Sequence, residues 1–149
     1  MDNVVDSNQQ LLKNEEIIQK AGMNTKAPMA YPEAYQSIMK ELTMPGTQAL
    51  RHGNTIFIIH YDHGRVGTFR ALNADTAPNY VKNGIEFVKA AYTLGYDVLI
   101  TQYYEPSINN IFKMISQNPP NKDMGYQTKR NNRGFVTTLT LGPERGGEI

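Results

Sequence analysis

Two imidazoles stand three residues apart in His60-Tyr61-Asp62-His63, the stretch that most invites a metal. On a strand, residues three apart point to opposite faces, so only a turn brings these rings together. No third strong ligand stands at a familiar spacing, and the chain has no cysteine. No metal is expected, and disulfides, thiolate zinc sites and cysteine nucleophiles are excluded. A second cluster, Tyr103-Tyr104-Glu105, joins two phenols to a carboxylate. Its plain reading is a strand end whose rings fill space under a loop while the hydroxyls stay wet. The third is Lys129-Arg130-Asn131-Asn132-Arg133, flanked by Tyr126 and Phe135. Aromatics beside cations can stack on and clamp a nucleic acid strand. Yet 15 Lys and Arg against 14 Asp and Glu leave a formal net charge of +1. Phosphate binding wants a broader basic face, so the stretch reads as a solvated hairpin tip and nucleic acid is not an expected partner. Tyr35, Met39 and Met44 read as core rather than as cofactor contacts.

These residues need elements to hold them. Ser7 and Gln10 have capping-box spacing. Leu11, Ile17, Ile18 and Ala21 share one side of a helix that stops at Gly22. Met23 to Ala30 reads as a linker. So short a helix is marginal alone in water. Residues 1–30 are therefore expected to be an arm whose Val4, Val5, Leu11, Leu12, Ile17 and Ile18 dock on a partner protein. Removing residues 1–28 should then leave the rest folded. A better helix begins at Pro32, with Tyr35, Ile38, Met39 and Leu42 at i, i+3, i+4 and i+7, and ends at Pro45-Gly46. Three strands follow, Thr47 to His52, Thr55 to Tyr61 and Val66 to Asn73, with turns at Gly53-Asn54 and Asp62-His63-Gly64-Arg65. Ile56-Phe57-Ile58-Ile59 is apolar on both faces, so the middle strand should be covered twice. Asp75 or Thr76 caps a long helix whose stripe is Val81, Ile85, Val88 and Tyr92 and whose stop is Gly95. Val98-Leu99-Ile100 is a short buried strand. Pro106 opens a helix with Ile108, Ile111, Phe112 and Ile115 inward, broken at Asn118-Pro119-Pro120-Asn121. Tyr126 to Lys129 and Phe135 to Leu141 make a last hairpin, and residues 142–149 read as a loose tail.

The order is thus helix, three antiparallel strands, helix, strand, helix, hairpin. Leu94-Gly95-Tyr96 precedes the buried strand; Pro106-Ser107-Ile108-Asn109-Asn110-Ile111-Phe112 and Met124-Gly125-Tyr126 follow it. On this pattern the chain from Tyr31 to Leu141 resembles the GNAT acyltransferase superfamily. More narrowly, it resembles the small GNAT-like internal virion proteins of short-tailed phages. The resemblance implies an α+β fold, with a mixed, mostly antiparallel sheet of six or so strands flanked by helices. Residues 31–141 would be the GNAT-like domain, 1–30 the helical arm and linker, and 142–149 the tail.

It also implies where chemistry would sit. GNAT enzymes hold the coenzyme A pyrophosphate on backbone N–H groups at the start of the helix after the fourth strand. Their motif is Arg/Gln-x-x-Gly-x-Gly/Ala, whose glycines let the backbone approach the phosphates. Asn73 to Gly84 lacks it. With Gly84 as the first glycine, Val81 takes the Arg position and Glu86 the second glycine; with Gly84 as the second, Asn79 and Lys82 stand in the wrong slots. Pro78 removes a donor, and Asp75 repels a phosphate. The family's proton-donating Tyr falls on Phe112. Tyr103 and Tyr104 stand one turn earlier, and Glu105 lies just after the strand where a base would be. The resemblance therefore implies a scaffold without the chemistry and without a cofactor. It would be a structural or assembly protein of a phage particle, found in the virion or in the host cytoplasm during assembly. Its partners would be other proteins of a large assembly, reached through the N-terminal arm and C-terminal tail. One alternative is an acetyl-CoA-dependent N-acyltransferase with Tyr104 as acid and Glu105 as base, Tyr103 beside them. Another is a phage-encoded inhibitor of a host protein.

Composition bounds all of this. At 149 residues the chain is one domain's worth and buries roughly 68–70% of its unfolded surface. Mean hydropathy is −0.51, and no apolar run approaches the ~20 residues of a membrane span. The start, MDNVVDSNQQ, is acidic and polar, unlike a signal peptide. A soluble protein with no membrane partner is expected.

Overall fold

A strand apolar on both faces requires two covering layers, and the structure supplies them. The computed structural model describes residues 10–23 and 31–149. Its elements are α1 (Asn14–Met23), α2 (Tyr31–Leu42), β1 (Thr47–His52), β2 (Thr55–His63), β3 (Val66–Asn73), α3 (Ala77–Leu94), β4 (Val98–Tyr103), α4 (Ile108–Gln117), β5 (Gly125–Asn131) and β6 (Gly134–Thr140). One six-stranded sheet runs β1-β2-β3-β4-β6-β5. Every neighbouring pair is antiparallel except β3 and β4. The fold is the expected α+β class, with a mixed, mostly antiparallel sheet between helices.

On one face, Phe57 and Ile59 of β2 join Phe69, Leu99 and Leu139 beneath Phe87, Val88 and Ala91 of α3 and Phe112 of α4. On the other, Ile56 and Ile58 join Leu72 beneath Ile17, Ile18 and Ala21 of α1 and Ala34 and Ile38 of α2. Alternation along β2 splits its side chains between the layers. The α3 stripe is wider than its sequence spacing indicates, since Asn83, Gly84, Phe87 and Ala91 are also buried. Gly95 ends this helix at φ 115°. Its N–H donates to Tyr92 O at 3.0 Å and that of Tyr96 to Ala91 O at 3.1 Å. Glycine takes that left-handed turn at no steric cost.

Three expectations are corrected. Ile17 and Ile18 are fully covered by this chain itself, at 0% and 4% exposure, and so are not left for a partner. The reason is β2: its second apolar face needs more cover than Ala34 and Ile38 of α2 provide. Of the other arm residues, Leu12 packs at the edge of this cluster and Leu11 is 70% exposed. Val4, Val5, Ser7 and most of the linker lie outside the described residues. Second, Met39 and Met44 are exposed rather than in the core: α2 turns Ala34 and Ile38 inward, and Met44 lies in the turn beyond the helix end at Leu42. Third, the tail is not loose. Arg145 Nε donates to Asp97 Oδ1 at 2.7 Å and its backbone N–H to Oδ2 at 2.8 Å. Its guanidinium lies 3.9 Å over the Tyr92 ring, a cation–π contact. Further on, Arg65 Nε donates to Gly146 O and Ile149 N to Gly64 O.

Candidate functional site

Where parallel strands part, the carboxyl ends leave a crevice, and ligands favour such places in open sheets. Here β3 and β4 pair only at Val66–Val98, Gly67–Leu99 and Thr68–Ile100, and their far halves diverge. Three features stand around this divergence: the β3–α3 loop, the slot between α3 and α4, and the end of β4.

The loop turns on Asp75. Its N–H donates to Asn73 Oδ1 at 3.0 Å, and Asn73 Nδ2 returns to Asp75 O at 2.9 Å, the local side-chain turn that Asn favours. The Asp75 carboxylate then accepts from Asn54 N at 2.9 Å, Asn54 Nδ2 at 3.1 Å and Asn83 Nδ2 at 2.7 Å. Asn83 Nδ2 also donates to Thr55 Oγ1, which donates to Asn73 Oδ1. Asn54, Thr55 and Asn83 are buried, so the network must be nearly complete to be tolerated. Gly53 permits it: at φ 56°, a Cβ there would stand 2.5 Å from Asn83 Oδ1. Asn54 reaches the other way too, accepting from Leu12 N and donating to Gln10 O, both at 2.8 Å. Arg51 adds bonds to Leu12 O and Asn14 Oδ1. Thr76 is the N-cap of α3, without a side-chain capping bond, and Pro78 sits in the first turn.

The slot between α3 and α4 is closed by apolar packing. Gly84 lies well inside α3, where a Cβ would meet Ile115 Cδ1 at 2.7 Å; its bare backbone seats that isoleucine. A cavity of ≈ 30 Å³ remains, lined by Phe69, Tyr80, Gly84, Phe87, Ile108 and Phe112 among others. Burial pushes the Tyr80 phenol up to about 12.

At the end of β4 the three candidate residues do not converge. Tyr103 points into the α4 side, its ring 5.6 Å from those of Phe112 and Phe135. Its hydroxyl is shared with Asn109 Oδ1 and with Thr137 Oγ1 at 2.7 Å, and Thr137 in turn meets Thr128. Tyr104 is 53% exposed and Glu105 is exposed. Phe112, which offers no proton, is buried.

No family model matches this sequence, and no curated protein matches it. Solved structures do. The chain resembles the aminoglycoside 6'-acetyltransferase type Ii at a TM-score of 0.54 and 11% identity, over 91% of this chain and 98% of that one. It resembles the ribosomal-protein-alanine N-acetyltransferase from Brucella melitensis at 0.51 and 12% identity, over 87% and 96%. The fold is GNAT-like.

On this GNAT-like scaffold, the place the resemblance assigns to a pyrophosphate is the start of α3. The residues there do not fit one. Asp75 brings a carboxylate where phosphates would need donors, Pro78 lacks an N–H, and Gly84, the one glycine at hand, is spent on helix packing.

The opposite face carries a relay that sequence spacing does not reveal. Thr47 Oγ1 lies 2.9 Å from His60 Nδ1, and His60 Nε2 lies 2.5 Å from Glu41 Oε2. Arg70 holds the other oxygen of Glu41. Burial alone would raise the Glu41 carboxyl, but the bonds and charges of Arg70 and His60 together bring it below its ordinary value. The relay ties α2 to the sheet. His63 is bonded instead to its neighbour Asp62, so the two imidazoles serve different partners. No group of three His, Asp or Glu comes together as a metal site among the described residues.

Proposed function

We infer that this chain is a non-catalytic binding protein built on a GNAT-like scaffold, working through contacts with other proteins. The observation that carries the reading is the Asp75 carboxylate lodged at the start of α3. Anion sites at helix N-termini work because free N–H groups and partial positive charge face the ligand. Asp75 offers like charge there instead. The slot beside it supports the same reading, since its lining is apolar and Ile115 is seated on the bare backbone of Gly84, so it offers no charged group to hold a phosphate. Tyr103, bonded on both sides and stacked, is a packing residue, and Tyr104 with Glu105 stands in water.

The finer reading is a component of a phage particle that docks on other virion proteins. Its support is the resemblance to small GNAT-like internal virion proteins in the order of a short meander, an Asp and a helix, a strand and an Ile-Phe-rich helix. Such a protein resides in the virion, or in the host cytoplasm during assembly.

Calorimetry with acetyl-CoA at millimolar concentration tests the absence of acyl-transfer chemistry. No measurable heat of binding is expected. A micromolar Kd would overturn the reading in favour of an acetyltransferase with an atypical loop. Co-sedimentation with a large particle tests the finer statement, and a chain that purifies only alone would sink it.

A further inference from the structure

The last hairpin, from Gly125 to Phe135, holds Lys129, Arg130 and Arg133 and no acidic residue. None of the three cations forms an ion pair among the described residues. They lie on an edge. β5 pairs with β6 on one side, and no strand flanks its other side among the described residues. An edge strand presents a row of unused N–H and C=O groups, ready to pair with another chain. Lys129 and Arg130 are adjacent on β5, so they point to opposite faces, and a strand added here meets a cation on each. Arg133 sits at the tip on a fixed backbone, its N–H held by Asn131 Oδ1 at 2.8 Å and its carbonyl by Gln102 Nε2 at 3.1 Å.

The flanking aromatics decide which anionic polymer fits. Single-stranded nucleic acid needs exposed ring faces on which bases stack. Phe135 has Tyr103 stacked at 5.6 Å and the Arg130 guanidinium at 6.0 Å. Tyr126 is stacked with Phe112 at 6.4 Å. These rings are engaged within the protein, and a net charge of +1 supplies no wide field for a phosphate backbone.

We propose that the free edge of β5 captures an extended acidic segment of a partner protein as an added strand. Backbone pairing supplies the geometry, and carboxylates on the added strand meet Lys129, Arg130 and Arg133. The proposal rests on the reading of this chain as a protein-binding scaffold and names the surface and the partner's chemistry.

The test titrates a fluorescent peptide of alternating glutamate and valine into the full chain. Saturable binding is expected, weaker at high salt because exposed charges are screened. The triple variant K129E/R130E/R133E should weaken binding by about tenfold or more. A peptide of the same sequence, N-methylated at alternate backbone positions, keeps the charge but cannot pair, and should not bind. Equal binding of the methylated peptide overturns strand addition. Equal binding by the triple variant overturns the acidic partner, and tighter binding of an oligo-dT strand replaces it with nucleic acid. Acetyl-CoA calorimetry on the same sample stays a separate readout, so failure of the scaffold reading and failure of the edge site are told apart.

Discussion

A single carboxylate carries much of what is unusual here. Asp75 accepts three hydrogen bonds from Asn54 and Asn83, both buried. Replacing it with alanine leaves those donors without that acceptor. Unmet buried polar groups cost about 1–3 kcal/mol, so Asp75→Ala should lose that much stability, read as a lower urea midpoint. An unchanged midpoint would mean that water takes over the bonds and that the network holds nothing. Asp75 was legible as a candidate cap and as a charge hostile to phosphate. Its partners were not, because Asn54 lies 21 residues away and reaches it only through the packing of the β1–β2 turn against the β3–α3 loop. The relay from Thr47 through His60 to Glu41 and Arg70 escaped for the same reason, being drawn from four different elements.

Among the elements, α1 changes role most. Its Ile17, Ile18 and Ala21 form one cluster with Ile56, Ile58 and Leu72 of the sheet. Emptying a fully buried isoleucine position costs about 2–5 kcal/mol through lost transfer energy and the cavity left behind. We therefore expect Ile17→Ala to destabilise by that amount. Removing residues 1–23 strips α1 from this face of β2, leaves only α2, through Ala34 and Ile38, over it, and should lower the melting temperature sharply, followed by circular dichroism. A truncated chain that melts with the intact one would return α1 to the status of a dispensable arm. α3 and α4 behaved more simply. Their stripes and the Gly95 stop were visible as spacing, whereas the seat of Ile115 on Gly84 needed both helices in place.

Over the whole molecule, three titratable groups, Asp97 buried and His52 and Glu41 half-buried, set how stability responds to acid. Burial holds His52 below its ordinary value, only partly offset by Glu86. The unfolded chain therefore takes up that proton first, and stability falls as pH drops below about 6.5. Asp97 and Glu41 lie lower on the scale. Burial alone would raise Asp97, but the bonds and charge of Arg145, with the charge of Arg65, bring it below its ordinary value; Glu41 is lowered in the same sense. A lowered carboxyl stabilises above its unfolded value of about 4 and loses that contribution as pH falls through the folded one. Urea midpoints from neutral to acidic pH should thus decline in two stages. His52→Gln should remove the first stage alone, and an unaltered profile would reject the assignment.

The order of elements, the double burial of β2, the end of α3 at Gly95 and the missing glycine pair before it are all legible in the chain without its fold. Each depends on neighbours a few residues apart, where periodicity, turn chemistry and a missing Cβ act directly. Tertiary structure alone decided that α1 covers its own sheet, that the tail is strapped to Asp97, that Asp75 gathers Asn54 and Asn83, and that Tyr103 is locked by Asn109 and Thr137. An apolar stripe gains the same free energy whether the surface it covers belongs to its own chain or to a partner. Its spacing therefore cannot say which, and only the shape of the folded chain does.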